Sequence, residues 1–251
     1  MDSIKDLLSD PLKGTKQAEG VLCYLFREVL LWRKVNQFTW NRLSRNYFAK
    51  PHNAENQDKG NLHKALKADD MPWNGFKKAV DFLSPIEATL EVKLNWVDNS
   101  SSTYLINIDP MDDELNPVAN NFPWKECELF NGRKDSTTLM SHLFRHMVAT
   151  EGAKHEDIKL WWAKLFEDYT TNPVNVVGLP QKEINTNANN LKRQLLDPNM
   201  SWNTFRRGMY LLRPRSEEYT LTMRWTNDQH LKKSLPDSVH HIFIADPYFV
   251  E

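Results

Sequence analysis

The hydrophobic positions of the chain follow a helical period over most of its length. Residues 21–33 (VLCYLFREVLLWR) are apolar on nearly every side, which predicts a buried helix. Trp40, Leu43 and Tyr47 share one stripe and predict a second helix, for which Thr39 is the expected N-cap. These two elements should supply much of the core in the first part of the chain.

Two shorter helices are expected next, with a tight polar turn between them. Leu62 and Leu66 lie on the third helix, and Trp73 and Phe76 begin the apolar face of the fourth. Their spacing of four, seven and three residues is typical of a helix-turn-helix, in which two short helices cross through apolar contacts. Pro85 follows the last apolar residue and predicts the end of the fourth helix.

Alternating residues then predict a β-hairpin. Residues 90–94 are apolar at every second position, and residues 98–102 (DNSSS) have the composition of a turn. The returning strand is expected over residues 103–109 (TYLINID). The predicted fold class is therefore α+β and mainly α, with several helices followed by a hairpin.

The same pattern occurs twice in the chain. Residues 61–96 align without a gap to residues 190–225 and are identical to them at ten of 36 positions, whereas unrelated sequences would share roughly two. Upstream, the tripeptide Leu-Phe-Arg ending at Arg27 recurs as the tripeptide ending at Arg145. This self-similarity predicts two homologous modules, over residues 20–112 and 137–251. An N-terminal extension over 1–19 and a linker over 113–136 complete the predicted organisation.

Composition excludes some classes of protein. The chain has 40% hydrophobic and 26% charged residues, as ordinary globular proteins do, and no apolar run of about 18 residues that would predict a membrane span. Cys23 and Cys127 lie in unrelated contexts, so we expect reduced thiols in a cytoplasmic protein rather than a disulfide or a zinc site. A net charge of −1 argues against indiscriminate coating of nucleic acid but allows a local basic face.

The helix-turn-helix followed directly by a hairpin resembles the winged-helix domains of tandem DNA-binding proteins. The sequence departs from the common pattern at His63 and Lys192, where a small residue is usual, and at Lys67 and Leu196, where the turn usually has glycine. The resemblance implies that the fourth helix of each module enters the major groove and that the hairpin contacts the DNA backbone or minor groove. Two modules in one chain could then contact successive faces of the duplex.

The outward face of the fourth helix is the candidate binding surface. We expect Asp81 there in the first copy and Tyr210 in the second, beside an asparagine and a basic pair. Asparagine can bind adenine edges, and arginine or lysine can bind guanine or phosphate. Residues 190–225 hold seven basic and three acidic residues, against five and five in 61–96, so the second copy is favoured. The predicted nucleic-acid-binding residues are Asn74, Lys77, Lys78, Lys192, Arg193, Asn203, Arg206, Arg207, Arg213 and Arg215.

Two hypotheses on function follow. The first is a non-enzymatic regulator of transcription or replication that binds double-stranded DNA. The alternative is a protein-interaction module that engages the same machinery without DNA contact, which the near-neutral charge and nine tryptophans favour. Exposed basic residues are as often merely solvated, and Trp73 and Trp202 are expected to be core anchors.

No catalytic, cofactor or metal site is expected. His142 and His146 are four residues apart on a predicted helix, but no third ligand is evident near them. The chain has eight glycines and no glycine-rich phosphate loop, and neither cysteine has the context of a nucleophile. The sequence therefore predicts that the protein is not an enzyme.

Overall fold

The computed structural model of the chain describes residues 20–54, 59–69, 71–96, 99–110, 127–130, 139–225, 227–228 and 233–245. The predicted N-terminal extension and most of the predicted linker lie outside these residues. The described part is α+β and mainly helical, as predicted. None of its helices is long and apolar enough to cross a membrane.

Among its described residues, the first copy of the repeat contains five helices and two strands. They are α1 (Val21–Trp32), α2 (Gln37–Ala49), α3 (Pro51–Ala54), α4 (Lys59–Leu66), α5 (Trp73–Leu83), β1 (Glu87–Asn95) and β2 (Ser101–Asn107). The prediction of Thr39 as the N-cap of α2 is wrong. The cap is Asn36, whose side-chain oxygen accepts a hydrogen bond from the backbone N–H of Thr39 at 2.9 Å, and α2 therefore begins earlier.

The second copy repeats this order of elements. After a short 3₁₀ helix (Glu128–Phe130) come α6 (Leu139–Gly152), α7 (Ile158–Thr171), α8 (Pro173–Val176), α9 (Gln181–Leu195), α10 (Trp202–Leu212), β3 (Ser216–Arg224), β4 (Asn227–Asp228), β5 (Lys233–Ser234) and β6 (Ser238–Ala245). The prolines Pro51 and Pro173 begin the equivalent short helices α3 and α8. The shared order of elements agrees with a duplicated sequence.

Both predicted hairpins contribute to one four-stranded antiparallel sheet with the order β2-β1-β3-β6. The N–H of Ile86 donates a hydrogen bond of 2.7 Å to the carbonyl of Arg224, where the first strands of the two hairpins meet. The alternation predicted for β1 is present, with Leu90, Val92 and Leu94 buried. The sequence predicted two hairpins but not that they pair with each other.

The chain divides into two compact units. The first contains Met1–Leu94, Ser101–Ala119 and Glu217–Ile244, and the second contains Asn95–Ser100, Asn120–Ser216 and Ala245–Glu251. Strands β3 and β6 belong to the second copy of the sequence but to the first unit in space. Repeats and compact units therefore divide the chain differently.

The core of the first unit surrounds α5, which packs against α1, α2 and α4. The predicted apolar face of this helix is confirmed, since Trp73, Phe76 and Leu83 are buried. Trp40 of α2 contacts the ring of Phe82, with 4.9 Å between ring centroids. The predicted packing of the third and fourth helices is therefore present, as the contact between α4 and α5.

The core of the second unit surrounds α10, which packs against α6, α7 and α9. Trp202 and Phe205 are buried and stacked with 5.6 Å between their ring centroids, so the prediction of Trp202 as a core anchor is confirmed. Gly208 permits a close approach to α6, because a Cβ atom there would lie 2.4 Å from Cε2 of Phe144. The two units thus bury equivalent helices by the same face.

A buried arginine on the first helix of each copy binds the turn between the paired helices. In the first unit, Nη2 of Arg27 donates a hydrogen bond to the carbonyl of Ala68 at 3.1 Å. In the second unit, Nη2 of Arg145 lies 3.5 Å from the carbonyl of Leu196. These arginines satisfy carbonyl groups at the end of a helix and so contribute to the fold.

Candidate nucleic-acid interface

The outward face of α10 is formed by residues at helical spacing. Ser201 is the N-cap, and its hydroxyl accepts a hydrogen bond of 3.2 Å from the backbone N–H of Thr204. Asn203 lies in the first turn of the helix and is exposed. Arg206 and Arg207 follow Asn203 at three and four residues, are exposed, and lie on the same face of the helix.

Arg207 connects this face to two other helices. Its Nη1 donates a hydrogen bond of 3.4 Å to Oε1 of Gln194 on α9, and its Nη2 donates one of 3.4 Å to the hydroxyl of Tyr169 on α7. The last turn of α9, with the exposed Lys192 and Arg193, therefore lies beside α10. Sequence spacing gave no indication of Gln194 or Tyr169, because both reach Arg207 only in the folded unit.

Two further cations follow the end of α10. Arg213 ends the helix with a left-handed backbone (φ 50°), and its guanidinium lies 5.8 Å from the centroid of the Tyr210 ring. Nη1 of Arg215 donates a hydrogen bond to Oδ1 of Asn99 at 3.0 Å. Both arginines are exposed, so their charges reach solvent.

These residues lie on α10, in the last turn of α9 or just after α10, and we call them together the basic face. It consists of six exposed side chains: Lys192, Arg193, Arg206, Arg207, Arg213 and Arg215. None of the six forms an ion pair with a carboxylate in the part of the chain that the structure describes. Six exposed positive charges that pair with no described carboxylate can bind a polyanion.

The equivalent face of the first copy is weaker. Asn74 and Lys78 on α5 are exposed, as predicted, but Lys77 is only 6% exposed. Asp81, expected on the outside, is also buried. The expectation that Lys77 and Asp81 project into solvent is therefore wrong, and Lys78 is left as the exposed cation of the predicted pair.

The burial of Asp81 has a clear physical cause. Its carboxylate receives hydrogen bonds from Nζ of Lys50 at 2.5 Å and Nδ2 of Asn53 at 2.6 Å, and it lies 3.1 Å from Nε2 of His52. Burial alone would raise the pKa of Asp81, but the bonds from Lys50, Asn53 and His52 outweigh it and lower the pKa. Lys77 lies one turn before Asp81 on the same side of α5.

The second copy has a smaller version of the same tether. Tyr210, which corresponds to Asp81, accepts a hydrogen bond of 2.6 Å from Nδ2 of Asn172, which corresponds to Lys50. In the first copy this residue therefore attaches the segment after α2 to α5, and in the second copy it attaches the segment after α7 to α10. Asp81 and Tyr210 are structural residues.

The histidines considered as metal ligands are buried on α6. Burial and then the charge of Arg145 lower the pKa of His142 to about 4. Burial and then the charge of His142 lower the pKa of His146 to about 4. No group of three potential metal ligands occurs among the described residues.

Comparison with known proteins does not identify the ligand of the basic face. No protein-family model matches the chain, and no curated protein or solved structure matches it.

Proposed function

We propose that the protein is a non-enzymatic regulator of transcription or replication that binds double-stranded DNA through the basic face. The observation that carries this proposal is the set of six exposed cations around α10, none paired with a described carboxylate. Duplex DNA carries one phosphate charge per about 1.7 Å of helix axis, so a cluster of cations can neutralise several phosphates at once.

Each part of the basic face has a role in this proposal. In a winged-helix-like module, α10 docks in the major groove, where Asn203 reads an adenine edge and Arg206 and Arg207 contact guanine or phosphate. The flanking cations hold the backbone on either side. In the first copy, Asn74 and Lys78 make a smaller contribution, because Lys77 is buried.

The salt dependence of binding to duplex DNA of random sequence tests the proposal. If all six cations contact phosphates, the logarithm of the binding constant falls with the logarithm of salt concentration with a slope of about −5. Arg206→Gln combined with Arg207→Gln should make this slope shallower by about two. The matched control is Lys34→Gln with Arg45→Gln, which removes two exposed charges of the first unit and should leave the slope unchanged.

Two results would overturn the proposal. No measurable binding at low salt would exclude DNA as the ligand and would leave the alternative, a protein-interaction module without DNA contact. Equal slopes for the wild type and the Arg206/Arg207 double variant would show that another surface binds DNA.

A further inference from the structure

One side of α7 and the three residues before this helix line an open groove of about 600 Å³ in the second unit. Its floor is apolar and consists of Leu160, Trp161 and Leu165. Leu160 is 69% exposed, and the ring of His155 stacks on Trp161 with 5.1 Å between centroids and 18° between planes. A large aliphatic and a large aromatic side chain therefore face solvent side by side.

The rim of the groove is acidic. The exposed carboxylates of Glu156, Asp157 and Asp168 line it, together with the single ammonium group of Lys164. Asp157 is also the N-cap of α7, where it accepts hydrogen bonds from two backbone N–H groups. Three negative charges against one positive charge favour a cationic occupant and repel phosphates.

The first copy of the repeat is an internal comparison for this groove. Phe38 on α2 corresponds to Leu160 and is 70% exposed, so both copies expose a large apolar residue at the same position. Thr39 stands where the second copy has Trp161, and Asn46 stands where it has Asp168. The fold builds this helix with threonine and asparagine as well, so it does not require the aromatic floor or the acidic rim.

We propose that the groove docks a basic amphipathic segment of a protein partner. A large apolar side chain of the partner would pack on Leu160 and Trp161, and an arginine or lysine would lie over the Trp161 ring and against Glu156 and Asp168. A volume of about 600 Å³ accommodates a few side chains, so the occupant is a short segment and not a broad surface. This site goes beyond the proposed DNA binding and does not depend on it.

Two synthetic 14-residue, alanine-based helical peptides test the proposal. Both carry two leucines one turn apart, and they differ only in having four arginines or four glutamates beside them. Fluorescence anisotropy of the labelled peptides measures binding to the full chain. The arginine peptide should bind roughly tenfold or more tightly than the glutamate peptide.

Variants locate the binding. Trp161→Thr and Asp168→Asn install the residues that the first copy carries, and each should weaken binding of the arginine peptide, Trp161→Thr by roughly tenfold. Phe38→Ala, the matched exposed residue of the first copy, should change binding less than about twofold. Unchanged urea midpoints of the variants would show that they are folded.

Three outcomes would overturn the proposal: equal affinity for the two peptides, binding that is insensitive to Trp161→Thr, or free arginine binding as tightly as the peptide. The Arg206/Arg207 double variant should bind the arginine peptide as the wild type does. The peptide experiment can therefore contradict the docking groove without contradicting DNA binding by the basic face, and the DNA experiment can do the reverse.

Discussion

Lowering the pH from 7 to 5 is expected to destabilise the second unit through His142 and His146. The two side chains are 8% and 4% exposed on α6, and burial is the main cause that lowers the pKa of each to about 4. In the unfolded chain the pKa returns to its ordinary value of about 6.5. Between these values only the unfolded chain binds the protons, so stability is complete above pH 6.5 and is lost as the pH falls toward 4.

The size of the effect follows from the two pKa values. For one histidine, the linkage relation gives a loss of about 2 kcal/mol between pH 7 and pH 5. The pair should therefore lower the free energy of unfolding by about 3 to 4 kcal/mol, a large fraction of the 5–15 kcal/mol that is roughly typical of a domain. An exposed histidine with an ordinary pKa would contribute almost nothing.

Urea unfolding at pH 7, 6 and 5, followed by tryptophan fluorescence, measures this loss. The double variant His142→Asn with His146→Gln removes both titrating groups, and its loss between pH 7 and pH 5 should be smaller by about 3 kcal/mol. His241→Gln removes an exposed histidine and should retain the full loss. Hydrogen exchange of the α6 backbone amides at each pH would assign the effect to the second unit.

Equal losses of stability between pH 7 and pH 5 in the wild type and the His142/His146 double variant would contradict this prediction. That result would mean that both histidines accept protons in the folded unit.

Three other substitutions test the packing. Arg27→Met should cost about 1 kcal/mol in urea unfolding, because it removes one of the two side-chain donors to the carbonyl of Ala68 and leaves only the thiol of Cys23; an unchanged midpoint would contradict this. Gly208→Ala should cost about 1–3 kcal/mol, since the new Cβ would lie 2.4 Å from a ring carbon of Phe144. Gly75→Ala is the matched control: its new Cβ would lie 3.1 Å from the side chain of Met71 and 3.3 Å from the ring of Pro72, a milder contact than at Gly208, so the substitution should change stability by less than about 1 kcal/mol. Asp81→Asn should cost about 1–3 kcal/mol at pH 7, and this cost should decrease once the pH falls below the unfolded pKa of about 4 toward the lowered folded pKa, where the carboxylate takes up its proton; a cost that does not change as the pH is lowered would contradict this.

The sequence by itself determined the elements and their buried faces. The stripe of Trp73, Phe76 and Leu83 on α5 was readable because a helix brings residues three and four apart to one side. The alternation in β1 was readable because side chains of a strand alternate between its faces. The helical period and the strand alternation both depend on residues only a few positions apart, so they can be recognised without knowledge of the rest of the fold.

Tertiary structure decided which residues of the predicted outward helix faces are exposed to solvent. Lys77 and Arg206 occupy the same position in the two copies, yet Lys77 is covered and Arg206 is exposed. The carboxylate of Asp81 on α5 binds a segment that lies about 30 residues earlier in the chain. No local sequence pattern predicts such a contact. The pairing of β1 with β3 also joins residues that are far apart in sequence.

The duplication was therefore predictable from the sequence, but the differences in exposed surface between the two copies were not. The sequence determined that each copy has an asparagine and a basic pair on its fourth helix. Only the folded structure showed that the second copy exposes the whole pair, and that its α7 carries an acidic groove where the first copy has Thr39 and Asn46. Burial depends on distant segments that fold onto a residue, whereas helix and strand periodicity depends only on its neighbours in the chain.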